Sequence, residues 1–265
     1  MIADLFLRTW HKDLVWLPFL MRSLERHVRE FRDLVIVMPA SPVRQRQMHT
    51  VINVEETNKR LRAAGALSGR IIFIHGKTYA DDYLGQCLTK LQAWRYSDAD
   101  EVCFLDSDLV FTRGPFYPES SHLDGMPCIE VREWSEAGAA LPAWFEITKV
   151  LLGEAPPYET MCRHPFQYPT PFLRRAWRFA EPRLLALQTG NRHISEFNYL
   201  GNYAVLHEPQ HFCLRRPTKL HQEGLTAPDY CADDWVRQFR SWDGITPDVE
   251  AALRALGYWT VEDTR

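Results

Sequence analysis

The chain has 265 residues, 46% of them hydrophobic, which is enough to enclose a full core and fits one large α/β domain. Its 31 basic and 34 acidic side chains leave a formal charge of -3, so no global field exists for a polyanion and nucleic acid is not an expected partner. No apolar stretch approaches the length of a membrane span, and the first residues, MIADLFLRTWHKD, read as a strand with early charges rather than as a signal peptide. The six cysteines (Cys87, Cys103, Cys128, Cys162, Cys213 and Cys231) form no CxxC pair, which suits a reducing compartment. The expected location is the cytoplasm, and nothing in the sequence forbids peripheral attachment to a membrane.

Strand-like and helix-like segments alternate through the first half. IADLFLR (2–8) predicts a strand, 14–29 an amphipathic helix, DLVIVMP (33–39) a second strand and 54–64 a polar helix. RIIFIHG (70–76) follows as a third strand, 83–96 as a helix and EVCFLDS (101–107) as a fourth strand. This β-α-β rhythm predicts an α/β fold with a mostly parallel central sheet flanked by helices, and with ligands at the carboxyl ends of its strands. After Thr112 the rhythm changes. PCIEVREW (127–134) is a further strand candidate, but Pro142, Pro156, Pro157, Pro165, Pro169 and Pro171 then mark a more irregular region, expected to build a second substrate's pocket. Helical patterns return at 171–188, 195–204 and 247–256, the last with Thr246 as cap and Pro247 at the first helical position. Only a weak boundary is expected, near residue 115, within a single domain spanning 1–265.

Within EVCFLDSDLVFTR (101–113) two aspartates, Asp106 and Asp108, interrupt an apolar run of the kind expected for a strand buried on both faces. Buried carboxylates need a partner, and a hard divalent cation held against phosphate oxygens supplies one. D-x-D also occurs in calcium loops and in turns after strands. The surrounding stretch is more specific: LTKLQAWRYSDADEVCFLDSDLVF (88–111) carries Thr89, Lys90, Leu91 and Trp94 on a helix, followed by a strand ending in the aspartate pair. In this it resembles glycogenin and its relatives among the GT-A glycosyltransferases, including bacterial family 8-type transferases and uncharacterised bacterial GT-A proteins. The close similarity covers about 25 residues; elsewhere only the order of elements agrees.

The resemblance implies a GT-A fold, with 1–114 as the nucleotide-sugar-binding half and 115–265 as the acceptor-binding half, and a nucleotide-sugar donor, a UDP-sugar, whose diphosphate is bridged to Asp106 and Asp108 by Mn²⁺ or Mg²⁺. It places Ser107 close to the ribose and Lys90 near the nucleotide-sugar donor, where a point charge assists the leaving group. The bland alternative for Lys90 is an exposed helix lysine. Such enzymes complete the metal shell with a distant H-x-x-G, and His221-Gln222-Glu223-Gly224 fits that pattern, although the lysine and Pro-Trp usual beyond it are absent. His207 and His211 are alternatives. Thr9, after the first strand, stands where the family contacts the nucleoside, while Thr9 or Asp13 also suits a helix cap.

In HISEFNYLGNY (193–203), Glu196, Asn198 and Tyr199 are candidates to face an acceptor sugar. If the reaction inverts configuration, a carboxylate must take the acceptor hydroxyl's proton, and Glu196 is the candidate base. If it retains configuration, Glu196 holds the acceptor instead. Its structural alternative is a first-turn carboxylate behind a Ser195 cap. The expected function is a metal-dependent, hexosyltransferase-like enzyme acting on a saccharide or glycolipid hydroxyl. Two competitors are a haloacid-dehalogenase-type phosphatase, which also presents D-x-D at a strand end, and a catalytically silent module that binds nucleotide-sugar.

Overall fold

Strands β1 (Ala3–Arg8), β2 (Asp33–Pro39), β3 (Arg70–Gly76) and β4 (Glu101–Leu105) lie parallel in the order β3-β2-β1-β4. The computed structural model describes residues 1–40, 52–136, 142–162, 165–186, 194–216, 229–232, 236–239, 244–260 and 263. Every residue of β1, β2 and β4 is buried, as expected for strands whose apolar centres are covered on both faces. Parallel neighbours need crossovers, and helices α1 (Leu17–His27), α2 (Val54–Ala63) and α3 (Asp82–Leu91) supply them. The expected helix over 14–29 starts as a 3-10 turn, Leu14–Trp16, and ends at His27, since Val28 is extended and bridges Phe116.

Alternation along the strands assigns the two faces. Leu5, Leu7, Leu34, Ile36 and Leu105 pack against α1 and α2 through Leu17, Leu20, Leu24 and Leu61. Phe6, Val35, Val37 and Phe104 pack on the other face, with Cys87 and Leu91 of α3. The chain therefore winds outward from β1 to β3 with helices on one face, then crosses to the other face and places β4 on the far side of β1. The carboxyl ends of β1 and β4 thus border the switch point of the sheet, where open α/β folds have their crevice.

The second half completes this frame. α4 (Pro142–Leu152), α5 (Thr170–Ala186) and α6 (Glu196–His207) follow, and β8 (Phe166–Pro169) pairs antiparallel with β4 at the sheet edge, where its closing proline is tolerated. Residues of both halves meet in one apolar cluster, where Phe104 packs edge-on to Phe197 and Phe166 stacks on Phe197 at 3.8 Å. β6 (His122–Leu123), β7 (Met126–Glu130) and β9 (Cys213–Arg215) form one small sheet. The strand expected over 127–134 is β7, which lies outside the central sheet. β5 (Leu109–Phe111), β10 (Asp229–Ala232) and β11 (Val236–Phe239) form another, against which α7 (Pro247–Ala255) packs through Val249 and Leu253. Thr246 caps α7 by accepting from the Val249 amide, with Pro247 at the first position as expected. Among the described residues no helix is long and apolar enough to cross a membrane, and the thiols of Cys87, Cys103, Cys128, Cys162 and Cys213 are free.

Two sequence expectations are corrected here. The apolar run through Asp106 and Asp108 is not one strand: it ends at Leu105, turns through Asp106–Asp108, and resumes at Leu109 in a different sheet. The proline-marked region also contains a regular helix, because Pro142 begins α4 rather than breaking it.

Nor do Asn198 and Tyr199 face a pocket. Asn198 Oδ1 accepts from the Thr160 amide at 2.7 Å, Asn202 Oδ1 accepts from the Tyr158 amide at 3.1 Å, and the Tyr199 hydroxyl donates to the Ala176 carbonyl at 2.6 Å. One turn apart on α6, the two amides hold the 158–160 segment much as a neighbouring strand would. Gly201 lies between them, and a methyl group there would collide with the Thr160 side chain. Gly201→Ala is expected to destabilise the protein by about 1–3 kcal/mol through overpacking, measurable by urea unfolding; an unchanged midpoint would mean that α6 and this segment are not in close contact.

Candidate active site

A cleft of about 630 Å³ opens at the switch point, within the range that holds drug-sized and nucleotide-sized ligands. The Asp106–Asp108 turn forms its floor. The turn closes with the Leu109 amide donating to the Asp106 carbonyl at 3.2 Å, while the Asp108 carbonyl accepts from the Phe239 amide of β11 at 2.9 Å. The turn's backbone is therefore tied to β5 and β11 of one small sheet.

Lys90 is the central cation. It sits in the last turn of α3, only 1% exposed, and its Nζ lies 2.7 Å from Asp106 Oδ1 and 2.9 Å from Glu196 Oε1, with the Phe197 ring centroid 4.9 Å away. It is thus not an exposed helix lysine. Burial alone would lower its pKa, but the attraction of Asp106 and Glu196 more than reverses this and holds the ammonium charged. Glu196 reaches it from the first turn of α6, with Ser195 capping that helix by accepting from the Asn198 amide at 3.3 Å. The capping and cleft-facing readings of this segment therefore hold together.

Asp106 and Asp108 converge. Gln238 Nε2, from β11, donates to Asp106 Oδ2 at 3.0 Å and to Asp108 Oδ1 at 3.3 Å, so an oxygen of each carboxylate points at one small volume. Such paired oxygens suit a hard divalent cation. Among the described residues, no three His, Cys, Asp or Glu side chains are grouped to hold a metal. His221 lies outside the described residues. His207 packs against Phe179 and Tyr203, His211 closes a 3-10 turn, and neither borders the cleft.

After β1, the wall is made by Trp10 and Asp13 rather than by Thr9. Thr9 is buried, absent from the cleft lining, and its hydroxyl finds no hydrogen-bond partner among the described residues. Asp13 does not cap the following turn through its side chain; its carboxylate bonds instead with Trp10 and Ser107. Burial raises its pKa to about 6, the bonds from Trp10 and Ser107 pull downward, and the Asp106 charge adds to the rise. A carboxyl whose folded pKa exceeds its unfolded 3.8 binds more protons when folded, so its contribution to stability falls as pH rises from about 3.8 through about 6. Asp13→Asn is expected to flatten this part of the stability–pH curve and to raise the melting temperature at neutral pH. A curve with wild-type slope would show that Asp13 titrates normally.

Along the α3 side, Asp82 accepts from buried Arg8 at 2.7 Å and Asp81 caps the helix. Cys87 also lines the cleft, but burial, reinforced by Glu196, pushes its thiol well above the ordinary range, so it is no nucleophile. Counting Asp13, Asp81, Asp82, Asp106, Asp108 and Glu196, six carboxylates line the cleft, against Lys90 as the one lining cation among the described residues. Trp10, Tyr83 and Trp144 add aromatic surface.

Sequence reasoning brought out Lys90, Asp106, Ser107, Asp108 and Glu196, and the structure gathers all five at this cleft. It does not single out Trp10 or Gln238, and it sets Trp144 aside because tryptophans at helical spacing are more often core. Trp144 belongs to the helix hidden behind Pro142, and Gln238 carries no signal of its own in sequence. No protein-family model matches the chain, and no curated protein matches it significantly.

Proposed function

We propose that the chain is a metal-dependent glycosyltransferase of the GT-A fold, moving a sugar from a nucleotide-sugar donor, a UDP-sugar, to a hydroxyl of a saccharide or glycolipid. One observation carries this reading: the D-S-D turn stands at the switch point of a mostly parallel sheet, in a cleft whose carboxylates far outnumber its cations. A nucleoside diphosphate cannot enter such a field alone, and a divalent cation shared between it and the aspartates resolves the repulsion.

In this reading Asp106 and Asp108 hold Mn²⁺ or Mg²⁺, which supplies Lewis-acid stabilisation of the departing diphosphate. Lys90 fixes the orientation of Asp106 and Glu196 and offsets their charge. Ser107, beside Asp13, faces the ribose. Trp10, Tyr83 and Trp144 offer surfaces for stacking a base or a sugar. Glu196 is the acceptor-side carboxylate: it accepts the hydroxyl's proton in an inverting reaction, or orients the acceptor in a retaining one.

The test is thermal melting of the full chain with Mn²⁺ and a panel of nucleoside diphosphates. A ligand at a hundred times its Kd adds about 2.7 kcal/mol to the folded state, so UDP with Mn²⁺ is expected to raise the melting temperature by several degrees. No response to any nucleoside diphosphate would overturn the proposal. Slow hydrolysis of the nucleotide-sugar in the same samples separates an active transferase from a silent binding module.

A further inference from the structure

We infer that Gln238 is an additional protein ligand of the cation, its amide oxygen extending the set begun by Asp106 and Asp108; this rests on reading the cleft as a cation site. Gln238 lies opposite Leu109 in the β11–β5 ladder, and the next amide, Phe239, bonds the Asp108 carbonyl at 2.9 Å. Backbone register thus delivers this side chain to the aspartate turn. Its position does not depend on a loop.

The side chain is 7% exposed and only half satisfied. Nε2 bridges the two aspartates, whereas Oε1 is buried with no hydrogen-bond partner among the described residues. A buried amide oxygen left unpaired is costly, and in a folded protein it calls for a water, an ion or a functional reason. Here an ion site adjoins it. An amide carries its donor and acceptor on either side of one soft terminal torsion. With the aspartates alone, the NH₂ end answers their charge. With a cation between them, a donor is repelled and the oxygen end becomes the favourable one, since hard cations accept amide oxygens alongside carboxylates.

The competing role is that of a placeholder, in which the NH₂ group merely occupies the cation's place and must be displaced. The two roles have opposite signs. A ligand's removal weakens cation binding, while a placeholder's removal tightens it.

The experiment is a Mn²⁺ titration of the full chain, followed by the electron paramagnetic resonance signal of free Mn²⁺, with and without UDP. Wild type, Gln238→Leu, Gln238→Glu and Asp108→Ala are compared, and metal-free melting establishes that each is folded. Gln238→Leu is expected to weaken Mn²⁺ binding at least about tenfold, and Gln238→Glu, which keeps an oxygen at the same reach, to bind at least as tightly as wild type. Binding by Gln238→Leu equal to or tighter than wild type would overturn the inference while leaving the cation site intact. Should Gln238→Leu fail to fold, weaker binding by Gln238→Glu would overturn it. Absence of Mn²⁺ binding by wild type, even with UDP, would remove the cation site and the inference with it.

Discussion

Replacing Lys90 with methionine is expected to cost about 3–5 kcal/mol of folding stability, the penalty for leaving buried charges without their partner. Two carboxylates, Asp106 and Glu196, meet on one ammonium at 2.7 and 2.9 Å, and Glu196 is only 5% exposed. Methionine fills the channel that the lysine stem occupies, so the loss reports charge rather than a cavity. Because the folded pKa of Lys90 is raised above the ordinary 10.5, its contribution is fully present below that value and fades only as pH climbs through the folded one. In the variant, acidification should return part of the loss, since protonating either carboxylate relieves the uncompensated charge. The double variant with Glu196→Gln should lose less than the sum of the single changes. Denaturant unfolding across pH measures all of this. A loss under about 1 kcal/mol would reduce Lys90 to a solvent-screened surface charge.

If the chain is the proposed transferase, Asp108→Ala is expected to lower transfer or nucleotide-sugar hydrolysis by about three orders of magnitude, because Lewis-acid stabilisation of a leaving diphosphate is worth several kcal/mol. Stabilisation by UDP and Mn²⁺ together should vanish in the same variant. Its metal-free melting temperature should change far less, since the backbone bonds of residue 108 do not need its side chain, and Gln238 keeps its bond to Asp106 at 3.0 Å. Asp106→Ala offers a contrast. Asp106 also anchors Lys90 at 2.7 Å, so that variant is expected to lose stability as well as activity. Wild-type turnover by Asp108→Ala would place the chemistry elsewhere.

Much of this was legible in the sequence wherever structure is local. β2 and β3 run Asp33–Pro39 and Arg70–Gly76, as read, because their apolar runs are bounded by charge, proline or glycine. The aspartate pair and Lys90 stood out because charge at the end of an apolar run demands compensation. What escaped depends on pairing at long range. Nothing in VCFLDSDLVF tells that its two apolar ends enter different sheets, because both ends are equally hydrophobic. Asn198, Asn202 and the aromatics of α6 have a composition that serves a sugar pocket or a buried helix equally well, and only the position of 158–160 decides. Gln238 is separated by 130 residues from Asp108, so no local pattern could join them. The location of Lys90 in the interior was likewise invisible until Asp106 and Glu196 were seen on either side of it.

The turn that carries Asp106 and Asp108 is also the only length of chain between β4 and β5, each pinned in its own hydrogen-bonded ladder. Adding one residue there would have to be absorbed by slipping a ladder, and a slip of one position exchanges every inward side chain for an outward one. The single residue between the aspartates is therefore a matter of joinery as well as chemistry. A lengthened D-x-x-D version would be scrapped by the fold before any substrate could judge it.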